Sequence, residues 1–188
     1  MKLIYFLKST LLIIFLTVCN LGYTQTVKIV DNKGTLRNIE QGIGNVAELY
    51  IGSASVPQTL NGSFSDVNFT NSGIVDNSDF SVNVNSITIN KSGRYEIIYR
   101  VSTDTNNNER SGGEFYLDIS GIESPGTRAY TYNRNNLVDK NTVTVSKIIV
   151  ITASTVVKLK GRVYASSAST LSLAMANNGS SLIAKRIK

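Results

Sequence analysis

The feature that most constrains the fold of this chain is a two-residue alternation of apolar and polar side chains, repeated through its second half. In the run GRYEIIYRVS (93–102), one face carries Tyr95, Ile97, Tyr99 and Val101, and the other is mostly charged. The runs EFYLDIS, STVVKLKGRV and TLSLAMA repeat the pattern. Because strands with one packed and one wetted face are typical of antiparallel sheet, the chain is predicted to be all-β.

Turn-forming segments rich in Asn, Gly, Ser and Asp separate these runs at short intervals. Strands are predicted near 27–30, 48–51, 79–84, 86–89, 93–102, 114–120, 127–132, 142–151, 155–164, 169–175 and 180–187. This spacing favours a sandwich or barrel over a parallel sheet. The predicted organisation is a strand and connector at 25–45, with the connector at 31–45, followed by one β domain at 46–188.

The first 24 residues have the layout of a secretory signal peptide. Lys2 and Lys8 precede an apolar run at 11–18. That run is too short to span a bilayer, which takes about 20 residues. Cleavage is predicted between Thr24 and Gln25.

The alternative is a lipoprotein signal at Cys19, although Val18 is bulkier than the residue expected before a lipidated cysteine. In either case the mature protein is expected to be secreted, periplasmic or at the cell surface, without a transmembrane segment.

Missing residue types and the charge distribution limit the function classes. The chain has no His, and its single Cys is Cys19, which excludes an internal disulfide, a His/Cys metal site and a His-assisted nucleophile in the mature protein. Residues 25–188 hold 17 basic and 13 acidic residues, a net charge of +4. Residues 140–188 hold eight basic residues and no acidic one. This asymmetry can mark a polyanion surface, but the favoured interpretation is that early and late strands interleave and neutralise each other.

Several segments carry a family resemblance: AELYIG (47–52), SDFSVNVNSITINKSGRYEIIYRVS (78–102), EFYLDISGIESPGTRAYTY (114–132), TVTVSKIIVI, STVVKLKGRV and NNGSSLIAKRI. Their order resembles the tumour-necrosis-factor-like jelly roll, and more closely the globular head of complement component one q with its bacterial and phage relatives. SPGT (124–127) stands where such domains carry an I-P-G-S loop, whereas AST (153–155) departs from their G-D-x-V turn.

The resemblance implies a jelly roll of eight to ten strands in two antiparallel sheets, a homotrimer, no catalytic centre and no cofactor. Trimers of this kind bury apolar side chains of one sheet along their axis. Ile98 and Tyr116 stand on otherwise polar strand faces and are therefore the candidate trimer-interface residues.

A basic ladder formed by Lys158, Lys160 and Arg162 is the first candidate ligand-binding group. Residues two apart on a strand share a face at a repeat of about 7 Å, which suits an anionic glycan or phosphate. The alternative interpretation is a solvated face that resists edge pairing.

The second candidate group interleaves aromatic and basic residues: Arg128, Tyr130, Tyr132 and Arg134. Such a row can stack a sugar, or it can be an ordinary cross-strand aromatic row. Nothing in the sequence points to a nucleic-acid partner.

Pairs of carboxylates are candidates for glycoside hydrolysis, and acidic loops are candidates for calcium binding. The candidate pairs are Glu109 with Glu114, Asp76 with Asp79, and Asp118 with Glu123. Strand carboxylates are expected on the wetted face, without the apolar pocket that makes a general acid. The loops DNSD (76–79) and DTNNNE (104–109) lack a recognised calcium spacing. No metal-binding residue is predicted, and the sequence does not decide whether a calcium site is present.

These observations favour a non-enzymatic, extracellular binding module that acts as a trimer on a glycan or protein ligand. The alternative is a structural or assembly component of a surface layer, appendage or virion. A small carboxylate-dependent glycoside hydrolase is a remote third hypothesis.

Overall fold

The computed structural model describes residues 26–30, 36–40, 45–52, 58–105, 110–134, 140–166, 173–175 and 179–187. The expected signal peptide, its cleavage site and Cys19 lie outside these residues. The chain divides into two compact units, Met1–Ile43 and Gly44–Lys188. No helix among the described residues is both long and apolar enough to cross a membrane.

In the first unit, β1 (Thr26–Val30) and β2 (Leu36–Glu40) form an antiparallel hairpin in which Thr26 lies opposite Glu40. β1 confirms a predicted strand. β2 lies within the segment predicted to be a connector. It was not predicted because the two apolar residues of LRNIE are three positions apart and show no two-residue alternation.

The second unit is an antiparallel β-sandwich. Its strands are β3 (Val46–Tyr50), β4 (Thr59–Leu60), β5 (Ser65–Asp66), β6 (Asn71–Val75), β7 (Phe80–Asn83), β8 (Ser86–Ile89), β9 (Gly93–Thr105), β10 (Ser111–Ile119), β11 (Ile122–Glu123), β12 (Ala129–Asn133), β13 (Lys140–Ile151), β14 (Thr155–Ser166), β15 (Leu173–Met175) and β16 (Ser181–Ile187).

The strands form two seven-stranded sheets. The β10–β14 sheet has the order β11-β10-β14-β8-β7, with β12 beside β10 and β5 beside β14. The β9–β16 sheet has the order β4-β15-β9-β16-β3-β6, with β13 beside β9. Early strands thus lie next to late ones: β3 pairs with β16, and β5 pairs with β14. The predicted all-β antiparallel sandwich is confirmed.

The core lies between the sheets and uses the inward positions that the alternation predicts. Tyr95, Ile97, Tyr99 and Val101 of β9 are fully buried. They face a second set from the other sheet, which includes Phe115, Leu117, Val157 and Leu159. Each such side chain contributes about 1.5–3 kcal/mol by leaving water.

Two local features shape the core. Gly161 of β14 leaves space for the Phe115 ring on the neighbouring strand β10, because a Cβ there would lie 2.8 Å from that ring. The Tyr99 hydroxyl donates a 2.6 Å hydrogen bond to the carbonyl of Thr127. Burial raises the pKa of Tyr99, so this hydroxyl stays a donor.

The strand set differs from the prediction mainly in 58–75. The short strands β4 and β5 and the exposed strand β6 were not predicted, because two residues have no period and NSGIV has no apolar alternation. The described part of the sandwich therefore has fourteen strands instead of eight to ten. Of the predicted strand 169–175, only 173–175 lies within the described residues.

Candidate functional site

The outer surface of the β10–β14 sheet, here called the β10 face, brings together the candidate ligand-binding residues. The pairing places Glu114 of β10 opposite Tyr130 of β12 on one side and opposite Arg162 of β14 on the other. Tyr116 lies opposite Lys160 in the same register. Successive outward positions of three neighbouring strands therefore form one polar and aromatic surface.

Glu114 is the centre of this surface. Its carboxylate forms ion pairs with Arg128 and with Arg162, the latter at 2.7 Å from Nε and 2.6 Å from Nη2, and the Tyr130 hydroxyl donates to it at 3.2 Å. The residue is only 2% exposed, so the expectation that it points to a wetted surface is wrong: the arginine and tyrosine side chains cover it.

The electrostatics of Glu114 do not suit a general acid. Burial opposes ionisation, but the hydrogen bonds and charges of Arg162 and Arg128 outweigh it and lower the pKa of the carboxyl. A general acid needs the opposite change. Glu114 is therefore a fixed anion that orients two arginines and a tyrosine.

Asp66 of β5 neutralises the rest of the basic ladder. Its carboxylate lies 2.7 Å from Lys158 Nζ and also forms an ion pair with Lys160. Burial raises the pKa of Asp66, and the two lysines lower it by more, so the net pKa falls. With Arg162 held by Glu114, the three ladder cations all have carboxylate partners from earlier strands. The predicted neutralisation by interleaved strands is confirmed.

Aromatic rings and arginines cover the middle of the β10 face. Phe64 and Tyr116 form an edge-to-face pair with ring centroids 4.8 Å apart. The Arg162 guanidinium lies 4.4 Å from the Phe64 ring centroid, and that of Arg128 lies 5.4 Å from the Tyr116 centroid. Tyr116, predicted as a trimer-interface candidate, is thus half-buried on this face.

Three further tyrosines of the β10 face are about half exposed: Tyr130, Tyr132 and Tyr164. The rings of Tyr130 and Tyr164 are in edge-to-face contact at 5.2 Å. Tyr132 lies on the same side of β12, and Arg134 follows directly after that strand. Sequence reasoning missed Tyr164, although it continues the alternation of Lys158, Lys160 and Arg162 by one step.

The outer surface of the β9–β16 sheet, here called the β9 face, contains the other interface candidate. Ile98 lies opposite Ser146 on β13 and opposite Ile183 on β16. Further along β13, Ile148 is 62% exposed and Val150 is 77% exposed. Ile98 and Tyr116 therefore lie on opposite outer surfaces of the sandwich.

The charges of the β9 face differ from those of the β10 face. Within the part of the chain that the structure describes, Glu48, Arg94, Arg100 and Lys185 form no ion pair. Glu48 and Arg100 line an open pocket of about 240 Å³, together with Tyr50, Ser180 and Ser181. The face thus combines exposed aliphatic side chains with charges of both signs that form no ion pair with another described residue.

The loop 76–79, weighed as a calcium site, is occupied by protein cations. Asp79 is fully buried and contacts Lys91 at 2.6 Å and Arg186 at 2.9 Å. Burial opposes its ionisation, yet hydrogen bonds from Lys91, Asn45 and Arg186 lower the pKa of Asp79 to about 2. Among the described residues, no three metal-ligating side chains are grouped. Most of the loop 104–109 lies outside those residues.

The remaining carboxylate pair closes a hairpin. Asp118 of β10 lies opposite Glu123 of β11. Asp118 accepts a hydrogen bond from the Gly121 N–H, and Glu123 forms an ion pair with Arg128. Gly121 has φ of +89°, which favours glycine at this turn. Both carboxylates are engaged in local structure, and Glu109 lies outside the described residues.

Comparison with known proteins identifies the fold. No family model and no curated protein matches the sequence. Murine APRIL matches with a TM-score of 0.51 and 10% identity, over 77% of this chain and 99% of that chain. Eiger TNF from S. frugiperda matches with a TM-score of 0.52 and 8% identity, over 78% and 94%.

The globular domain of the zebrafish complement 1qA protein matches with a TM-score of 0.49 and 11% identity, over 77% and 98% of the two chains. The two TM-scores above 0.5 confirm the tumour-necrosis-factor-like jelly roll over most of the chain. At these identities, the likeness is one of fold.

Proposed function

We propose that this chain is a secreted, non-enzymatic binding module that assembles as a homotrimer through its β9 face and acts by multivalent contact. Domains of this fold are typically trimeric binding modules without a catalytic centre, which supports the proposal at the level of fold. The signal-like segment 1–24 supports export, to the medium, the periplasm or the cell surface.

The observation that carries the proposal is the composition of the β9 face. Ile148 and Val150 are two of the most exposed large apolar side chains among the described residues, and Ile98 and Ile183 lie on the same surface. An aliphatic row on a sheet surface is stabilised when another surface covers it. Charges of both signs that form no ion pair among the described residues can pair across a contact between copies.

The β10 face does not have this character. Its cations are paired with Glu114 and Asp66, and Arg162 and Arg128 lie over Phe64 and Tyr116. A trimer that buries the β9 face leaves three copies of the β10 face available to a ligand. Three weak sites on one particle gain affinity by linkage, without any new contact.

The test compares substitutions of exposed aliphatic residues in the two different sheets. Multi-angle light scattering on the protein obtained by expressing the full chain is expected to give three times the mass of one chain. The double variant Ile148→Lys/Val150→Lys is expected to be a folded monomer, because it places two charges in the aliphatic row.

Ile122→Lys is the matched control, since Ile122 is 73% exposed but lies on β11 of the other sheet. It should leave the trimer intact, with unchanged circular dichroism in both variants. A monomeric parent protein, or a trimer that survives the double variant, contradicts the proposal.

The hairpin β1–β2 favours one alternative, a role as an assembly component. β1 and β2 belong to the first compact unit, Met1–Ile43, and a two-stranded hairpin gains stability from contact with another surface. The same light-scattering experiment separates the two functions: particles much larger than three chains, lost on deletion of 26–40, favour assembly over binding.

A further inference from the structure

Three tyrosines form an exposed cluster at one end of the β10 face, here called the tyrosine patch. Tyr130, Tyr132 and Tyr164 are 52%, 48% and 53% exposed. Two come from β12 and one from β14, the strands on either side of β10. Tyr130 and Tyr164 are in ring contact. Half-exposed tyrosine rings offer apolar surface with a hydroxyl at each tip, a combination that is enriched in binding surfaces.

The backbone under the patch adds no side chain of its own at one position. Gly112 lies between Tyr132 on β12 and Ala165 on β14, so β10 contributes no side chain to the outer surface there. Gly112 itself is buried. The surface that a ligand can reach is therefore formed by the exposed sides of the tyrosine rings.

An irregularity in the strand pairing sets the position of Tyr164. Gly113 lies opposite Val163 and Gly112 lies opposite Ala165, so Tyr164 is the extra residue of a β-bulge. Bulges change the direction of a side chain and occur often beside binding sites. Here the bulged residue is the ring that contacts Tyr130 across β10.

The Glu114 network fixes one side of the patch. The Tyr130 hydroxyl donates to Glu114, whose carboxylate is also held by Arg128 and Arg162. The ring of Tyr130 is thus oriented before a ligand arrives, which reduces the entropy lost on binding. The guanidinium groups stay partly exposed and can donate hydrogen bonds to neutral hydroxyls at the rim.

The charge state of the β10 face selects between ligand classes. An anionic glycan would have to compete with Asp66 for Lys158 and Lys160 and with Glu114 for Arg162. A neutral sugar needs apolar rings and hydrogen-bonding groups, and it leaves these pairs intact. A stable protein contact usually buries about 800 Å² on each partner around an apolar centre, whereas this patch is three rings bordered by paired charges.

From these observations we propose that the tyrosine patch binds a neutral saccharide, which stacks on the exposed rings of Tyr132 and Tyr164. This inference rests on the binding function proposed above and supplies its ligand class. It also gives different roles to the two groups of residues that the sequence offers as ligand-binding candidates. The aromatic row contacts the ligand, whereas the cations of the basic ladder are paired with Asp66 and Glu114 and support the surface.

The experiment uses the protein obtained from the full chain and defined probes. An array of neutral hexasaccharides of glucose, mannose, xylose and N-acetylglucosamine is compared with heparin hexasaccharide, and the best neutral probe is titrated calorimetrically in solution. We expect at least one neutral probe to bind more tightly than heparin hexasaccharide. The double variant Tyr132→Ala/Tyr164→Ala should weaken that probe by about tenfold or more, since two stacking contacts are lost.

Two further variants keep the test sharp. Tyr132→Phe/Tyr164→Phe retains the rings, and its affinity for the best neutral probe should be within about threefold of that of the parent protein. Ile122→Ala, at the far end of the same sheet, should bind that probe with the affinity of the parent protein. Absence of binding to every neutral probe, tighter binding of heparin hexasaccharide, or unchanged binding by a folded double-alanine variant overturns the inference. Absence of all saccharide binding points instead to a protein partner.

The failure of this inference is distinguishable from the failure of the trimer. Soluble hexasaccharides report single-site affinity, which does not depend on the number of chains in the particle. A monomer that binds a neutral probe contradicts the trimer and keeps the saccharide site. A trimer that binds none contradicts the saccharide site alone.

Discussion

The two outer faces of the sandwich both carry charges of both signs, but they satisfy those charges differently. On the β10 face, Glu114 and Asp66 pair with the surrounding cations. On the β9 face, Glu48 and Arg100 form no ion pair among the described residues, and Ile148 on the same face is largely exposed. Strand alternation thus makes a polar face in both sheets, but among the described residues only the β10 face pairs its central charges.

The largest expected effect comes from a matched pair of substitutions, one on each face. Glu114→Gln should lower the free energy of unfolding by about 3 kcal/mol, because a buried carboxylate loses its charge-assisted hydrogen bonds to two partly exposed arginines. Glu48→Gln should change it by less than about 0.5 kcal/mol. Urea denaturation at one protein concentration in the monomeric Ile148→Lys/Val150→Lys background checks both. Equal losses would remove the distinction between the faces.

An intermediate effect is expected at Asp79. Its buried carboxylate forms ion pairs with Lys91 and Arg186 and belongs to neither face. Its pKa of about 2 when folded is below the ordinary value of 3.8. Folding therefore favours the charged form, and the gain is complete above about pH 4 and is lost as the pH falls to 2. The difference corresponds to about 2 kcal/mol.

Asp79→Asn should thus be less stable than the parent protein at pH 5 by about that amount, with the two denaturation midpoints converging near pH 2. Asp76→Asn is the control, because Asp76 lies in the same turn and forms no ion pair among the described residues; at pH 5 it should differ from the parent protein by less than about 0.5 kcal/mol. Parallel curves for Asp79→Asn and the parent protein from pH 5 to pH 2 would contradict the role of this pair.

The smallest effect concerns the partly exposed lysines. Lys158→Gln/Lys160→Gln should cost about 0.5 kcal/mol and reduce the salt dependence of stability, because it removes both ion pairs of Asp66 while the hydrogen bond from Asn85 remains. Arg100→Gln/Lys185→Gln on the β9 face should leave the stability of the monomer unchanged. Thermal unfolding at 0.05 M and 1 M NaCl measures both, and a salt response that is larger for the β9 pair would reverse the comparison.

Much of the fold could be predicted from the sequence because it follows from local alternation. Tyr95, Ile97, Tyr99 and Val101 are inward in the pattern and buried in the structure. The strands that were missed, such as β5 at Ser65–Asp66, are too short to have a period. They exist because a neighbouring strand offers hydrogen bonds, as β14 does for β5.

The candidate site was predictable only in part. Alternation places Lys158, Lys160 and Arg162 on one face, and it could have placed Tyr164 with them. It could not supply Asp66, which is 92 residues from Lys158 along the chain and 2.7 Å from it in space. The burial of Glu114 was predicted wrongly for the same reason, since the side chains that cover it come from other strands.

By itself, the sequence determined an all-β sandwich, the inward faces of its long strands and the surplus of late basic residues. These properties depend on the order of neighbouring residues, which the two-residue period of a strand expresses directly. Tertiary structure alone decided which charges are paired, which aromatic rings are in contact and which sheet surface has charges without an ion pair among the described residues. Those outcomes depend on strand order and register, because antiparallel pairing brings together residues that the chain keeps far apart.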